Sequence, residues 1–161
     1  MPGLEDLYRE IILDHYRAPR NRGELPVPPA HKAEGFNPLC GDEVVLYLDV
    51  DADGDTVTDL KIAGQGCSIS QASTSMMSAA VKGKSVDEAR RLIRAFKALM
   101  SIHESKLEGE GDGEDLRADL EGVRLGDLEA LQGVVKFPVR IKCATLAWNT
   151  LQQGLDEIEG A

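Results

Sequence analysis

The chain has 161 residues, 42% of them hydrophobic, with 3 cysteines and a formal net charge of -10. That size predicts one domain with a real core, and the acidic balance argues against nucleic acid or an anionic membrane surface as a partner. No apolar run approaches the roughly 20 residues that span a bilayer.

The opening Met1-Pro2-Gly3-Leu4-Glu5-Asp6 has neither a basic n-region nor an apolar h-region. A secretory signal is therefore not expected, and a cytoplasmic location is. With an odd cysteine count in a reducing compartment, a disulfide framework is not expected either.

Leu4, Leu7, Tyr8, Ile11, Ile12, His15 and Tyr16 recur at helical spacing and predict an amphipathic helix over 3–17. His15 shares its apolar face, where it is expected to be packed or hydrogen-bonded. Residues 18–39 carry Pro19, Pro26, Pro28, Pro29 and Pro38 and read as an irregular loop, with His31 facing solvent. This loop delivers the chain to Cys40-Gly41-Asp42.

Val44, Leu46, Leu48 and Val50 then alternate with Val45, Tyr47 and Asp49, the period of a strand. The acidic run Asp51-Ala52-Asp53-Gly54-Asp55 is a hairpin turn. A second strand runs over 56–63, with Thr58, Leu60 and Ile62 on one face, and a short third strand is expected to lead into Cys67.

Gly64-Gln65-Gly66-Cys67 makes a strand-to-helix corner, followed by an Ala-, Ser- and Met-rich helix over 71–82. The glycines let the backbone turn tightly and keep bulk away from the sulfur. Helix starts present free N–H groups and the positive end of the dipole. Ser85 and Glu88 form a capping box for a helix reaching about residue 105. Its buried face is predicted as Val86, Ala89, Ile93, Phe96 and Met100.

Glu108-Gly109-Glu110-Gly111-Asp112-Gly113-Glu114-Asp115 cannot bury a core and reads as a mobile loop. Asp127 is a candidate cap for a short helix with Leu128 and Leu131. Phe137-Pro138-Val139 opens the last helix, on which Cys143, Ala147, Leu151 and Leu155 share a face. Met76, Met77 and Met100 are expected in the core, His103 in solvent, and Trp148 is given no functional role.

Cys40 with Asp42, Cys67 and Cys143 each sit at or near a loop-to-element boundary. Three thiolates and one carboxylate make a tetrahedral zinc set. The same thiolates suit an iron–sulfur cluster. Spacing alone does not separate either from three buried core cysteines. A structural zinc module for protein binding remains an alternative. A cysteine hydrolase would need a histidine partner that no local feature supplies.

Asn37-Pro38-Leu39-Cys40-Gly41-Asp42, then Gly64-Gln65-Gly66-Cys67-Ser68-Ile69-Ser70, then Lys142-Cys143 resembles the iron–sulfur cluster assembly scaffold family of IscU and the NifU N-terminal domain. The likeness spans nearly the whole chain, including Asp6-Leu7-Tyr8 and His15-Tyr16-Arg17-Ala18-Pro19. Within the family the chain looks like the SufU-type branch. Lys142 replaces the IscU-type histidine before the third cysteine. Phe137-Pro138-Val139-Arg140-Ile141-Lys142 replaces the Leu-Pro-Pro-Val-Lys chaperone-docking segment. An acidic insertion covers about 106–124.

The resemblance implies an α+β fold, a small antiparallel sheet of about three strands with helices on one face, as one domain over 1–161. It implies Zn2+ held at rest by Cys40, Asp42, Cys67 and Cys143. It implies a pyridoxal-phosphate cysteine desulfurase of the SufS type as partner, with Cys40 as persulfide acceptor. The three cysteines then carry iron or a nascent [2Fe–2S] cluster, passed to a downstream iron–sulfur acceptor or scaffold. An Hsp70-type chaperone is not expected as a partner. The chain is read as a scaffold or zinc-dependent sulfur acceptor rather than a stand-alone enzyme. Arg140 and Lys142, beside Cys143, are expected to offset the negative charge of the ligand set.

Overall fold

The computed structural model describes residues 4–27, 29–38, 41–108, 128, 130–131 and 138–160, with side chains except those of 4–8, 101–108, 138–139 and 160. In chain order these form α1 (Leu4–Arg17), β1 (His31–Asn37), β2 (Asp42–Val50), β3 (Val57–Gln65), α2 (Ser68–Val81), α3 (Val86–Glu108) and α4 (Pro138–Gly160).

The three strands form one antiparallel sheet in the order β1-β2-β3. Alternation along β2 sends Val44, Leu46 and Leu48 into the core, where Leu60 and Ile62 of β3 join them. α2 and α4 pack on that side of the sheet, α1 lies against α2, and α3 against α4. On the opposite side Lys32 stands over the Tyr47 ring, 5.9 Å from its centre.

β1 corrects the irregular loop expected over 18–39. The prolines flank the strand and leave its interior free, so its N–H groups can pair. Its inward positions are small, Ala33 and Gly35, and its last, Asn37, is polar, so no hydrophobic alternation advertises it. Small residues are needed because α4 lies directly on this strand: a side chain at Gly35 would run into Thr150.

The sheet has the expected three strands, but the short one before Cys67 does not exist separately. β3 runs unbroken to Gln65. Its inward set is also shifted. A register irregularity at Asp49/Val50 brings Val57 inside and leaves Thr58 exposed, donating to the Asp49 carbonyl at 3.0 Å. The acidic turn is tied by Asp51, whose carbonyl accepts from Gly54 N–H at 2.9 Å and whose Oδ1 accepts from Asp55 N–H at 2.8 Å.

The helices follow their apolar faces. Val86, Ala89, Ile93, Phe96 and Met100 of α3 are buried as the spacing predicts, and Ser85 Oγ accepts from Glu88 N–H at 3.0 Å as a cap. Cys143, Ala147, Leu151 and Leu155 of α4 are buried together, as are Met76, Met77 and Met100. Leu128 and Leu131 are buried too. Trp148 is fully buried and stacks on Phe96, ring centres 4.7 Å apart.

His15 is buried, its Nδ1 2.8 Å from Ser75 Oγ, which also accepts from Arg20 N–H at 2.8 Å. His31 lies on β1, half-buried, with Nε2 3.3 Å from Glu157 Oε1. Asp127, Phe137, the His103 side chain and the acidic insertion beyond Glu108 lie outside the described residues. Among the described residues no helix is long and apolar enough to cross a membrane.

Candidate metal centre

The sheet register builds the site. Asn37 of β1 pairs with Asp42, the first residue of β2. On the other flank Glu43 pairs with Gln65. One step further along that antiparallel ladder brings Gly66 to Asp42 and turns the chain into α2. A side chain at Gly66 would meet Asp42 Cα and Cγ, both 3.0 Å from its Cβ, so only glycine fits there without displacement. Gly64, with φ +114°, takes the left-handed turn where a Cβ would strike the Glu43 carbonyl.

α2 begins three residues earlier than expected, because Cys67 itself is the N-cap. Its Sγ accepts from Ser70 N–H at 3.5 Å, a sulfur doing what a serine or aspartate oxygen does at other helix starts. The backbone N–H of Cys67 donates to Asp42 Oδ1 at 2.8 Å, and its thiol lies 3.9 Å from Oδ2. Asp42 is fully buried. A buried carboxylate requires such donors.

Cys143 arrives from the second turn of α4 and is likewise fully buried. Asn37 Nδ2 points at its sulfur from 3.9 Å. Asp42, Cys67 and Cys143 thus each bring one donor atom within 4.8 Å of the other two. Ligand edges in a tetrahedral zinc site are about 3.8 Å at most, so side-chain rotations of about 1 Å would let one cation touch all three. Two soft sulfurs with one hard oxygen fit zinc or iron better than calcium or magnesium.

Arg140, one turn before Cys143, is exposed. Attraction to the Cys67 sulfur, then hydrogen bonding to Cys143, raises its guanidinium above the usual arginine range. It therefore stays charged and supplies positive potential to both sulfurs.

The structure brings together Asp42, Cys67, Cys143 and Arg140. Lys142 is exposed, and among the described residues no hydrogen bond or ion pair ties its ammonium to the sulfurs. Cys40 lies outside the described residues. Two contributors were missed in the sequence. Asn37 opens the first motif, but its role depends on the β1–β2 pairing. Ser70 sits inside the second motif, but its link to Cys67 depends on where α2 begins.

The family described as NifU-like N-terminal domain matches residues 7–144 of this chain. The zinc-dependent sulfurtransferase SufU of Bacillus subtilis is 44% identical over 98% of the chain and 95% of the relative. The iron–sulfur cluster assembly scaffold protein IscU of Streptococcus pyogenes is 40% identical over 94% of the chain and 84% of the relative. The crystal structure of a NifU-like protein (N-terminal) from Brucella abortus superposes with a TM-score of 0.71 at 25% identity, covering 98% of this chain and 99% of that one. Motifs, sheet topology and these matches agree, and the chain belongs to the NifU-like N-terminal domain family, with SufU- and IscU-type proteins as its relatives.

Proposed function

We propose that this protein serves iron–sulfur cluster assembly by accepting persulfide sulfur at Cys40 from a pyridoxal-phosphate cysteine desulfurase. Cys40, Asp42, Cys67 and Cys143 form the metal-holding set. The observation that carries this reading is the convergence of Asp42, Cys67 and Cys143 donor atoms within 4.8 Å beneath one arginine. The likeness to a zinc-dependent sulfurtransferase over 98% of the chain supports the choice of zinc and of sulfur transfer. Zinc bound there would keep the sulfurs deprotonated at neutral pH and supply no redox chemistry of its own.

The chain's residues then act as follows. The Cys40 thiolate attacks the terminal sulfur of the donor persulfide. A new S–S bond forms at Cys40, the donor's S–S bond breaks, and the donor cysteine leaves as a thiolate. No net oxidation or reduction occurs. Asp42 is the hard ligand in a soft set, which favours exchange. Asp42 also anchors the Cys67 backbone, which holds those two ligands together during the transfer. Arg140 offsets the surplus negative charge of the thiolates. Iron or a [2Fe–2S] cluster is cargo built on the same cysteines and passed onward.

Zinc analysis and desulfurase turnover with Cys40→Ser test the reading. The expected result is a folded protein that no longer stimulates a SufS-type desulfurase. An unfolded Cys40→Ser chain would point instead to a purely structural ion. Undiminished stimulation would remove Cys40 from the acceptor role.

A further inference from the structure

Ser70 is the third residue of α2 and is completely buried. Its backbone is fully used: its N–H goes to Cys67 Sγ at 3.5 Å, and its carbonyl accepts from Thr74 Oγ1 at 2.7 Å. Its hydroxyl, by contrast, has no hydrogen-bond partner among the described residues. Other hydroxyls of the same helix do find acceptors. Thr74 donates to the Ser70 carbonyl, and Ser78 donates to the Ser75 carbonyl at 2.7 Å. Buried hydroxyls are rarely left unpaired, and one that is calls for an explanation.

Two features explain why Ser70 is left over and where it faces. In a capping box a glutamate or glutamine at the third helical position accepts from the N–H of the cap residue; Ser70 stands at that position. Here Asp42 Oδ1 has taken that N–H, at 2.8 Å. Ser70 also lies three residues before Ser73, on the same face of α2. Ser73 Oγ donates to the Ala144 carbonyl at 2.6 Å and accepts from Trp148 Nε1 at 3.2 Å, so this face looks onto α4. Cys67, the cap of this helix, and Cys143, next to Ala144 in α4, bring their donor atoms within 4.8 Å of each other.

We infer that Ser70 is a sulfur-binding residue of this centre, its hydroxyl reserved to donate a hydrogen bond to an anionic sulfur when the site is loaded. This deepens the proposed function and rests on it. An anionic sulfur in a buried place needs donors; among the described residues the side chains that supply them, Asn37 and Arg140, both come from outside α2, which itself gives the Ser70 backbone N–H to Cys67. The acceptor sulfur has two possible sources: a cysteine thiolate bound to metal, or the terminal sulfur of a persulfide.

The test uses Ser70→Ala in the full chain. One arm loads zinc and follows its extraction by a chromogenic chelator, then substitutes cobalt(II) and records the sulfur-to-metal charge-transfer band. The second arm charges the reduced protein with inorganic polysulfide and measures the sulfane sulfur retained. Ser70→Ala is expected to extract roughly tenfold faster, the range for losing a partner of a metal ligand, and to move the charge-transfer band to lower energy. Ser70→Thr, which keeps the hydroxyl, is expected to restore the band. The metal-free variant is expected to melt no lower than wild type, since it lacks an unpaired buried group.

An effect in the metal arm assigns the acceptor as a thiolate, and one in the polysulfide arm assigns it as persulfide sulfur. No effect in either arm, or a lower melting temperature of metal-free Ser70→Ala, overturns the inference. If wild type itself binds neither zinc nor cobalt through sulfur and retains no sulfane sulfur, the proposed function fails and this inference falls with it.

Discussion

Gly66→Ala tests whether the carboxylate and the second cysteine are held as one unit. The new Cβ would lie 3.0 Å from Asp42 Cα and Cγ and would overlap Oδ1. The Cα cannot yield cheaply, because Asp42 starts the central strand and is paired with Asn37 on one side and adjoins the Glu43–Gln65 pair on the other. The strain must therefore move the carboxylate or the corner. Overfilling a packed site costs about 1–3 kcal/mol. If the carboxylate swings away, Cys67 N–H loses its 2.8 Å charge-assisted bond, worth about 1.5–3 kcal/mol. The two overlap, because the same movement relieves the clash, so the expected loss is about 2–4 kcal/mol. Gly41→Ala is the comparison. Gly41 has φ +68°, but among the described residues nothing lies within 4 Å of its Cβ, so left-handed strain of about 1 kcal/mol is expected. Urea unfolding followed by the fluorescence of the single tryptophan, Trp148, reads both. A Gly66→Ala protein within about 0.5 kcal/mol of wild type, below the strain expected for Gly41→Ala, would refute the claim that the corner is wedged against Asp42.

The other expectations separate charge from packing. Arg140→Gln should weaken zinc retention roughly tenfold, with a smaller difference at high salt, because it removes the cation raised by Cys67 and Cys143. Lys142→Ala should leave retention unchanged, and a loss there would assign the charge to the wrong residue. Trp148→Phe should lower stability by about 1–3 kcal/mol, since the indole N–H donates to Ser73 Oγ at 3.2 Å in a fully buried setting. A melting temperature equal to wild type would show that this bond contributes nothing.

Helices were readable because their signals are local. The α3 face and its Ser85 cap, and the α4 face carrying Cys143, follow from residues three and four apart. β2 was readable for the same reason, through its two-residue alternation. β1 was not, because what makes it a strand lies elsewhere in the chain. Its inward glycine is required by Thr150 of α4, and its pairing by β2.

The sequence by itself determined which residue types could do chemistry: three cysteines and an aspartate in three motifs, the first two set among glycines. Tertiary structure alone decided which of them meet and what surrounds them. It placed Asp42 under Cys67, aimed Asn37 and Arg140 at the sulfurs, left Lys142 in solvent, and stranded the Ser70 hydroxyl. The physical reason is that ligand identity is a property of single side chains, whereas distance, burial and hydrogen-bond supply depend on strand register and helix packing. Those join residues 25 to 106 positions apart in the chain.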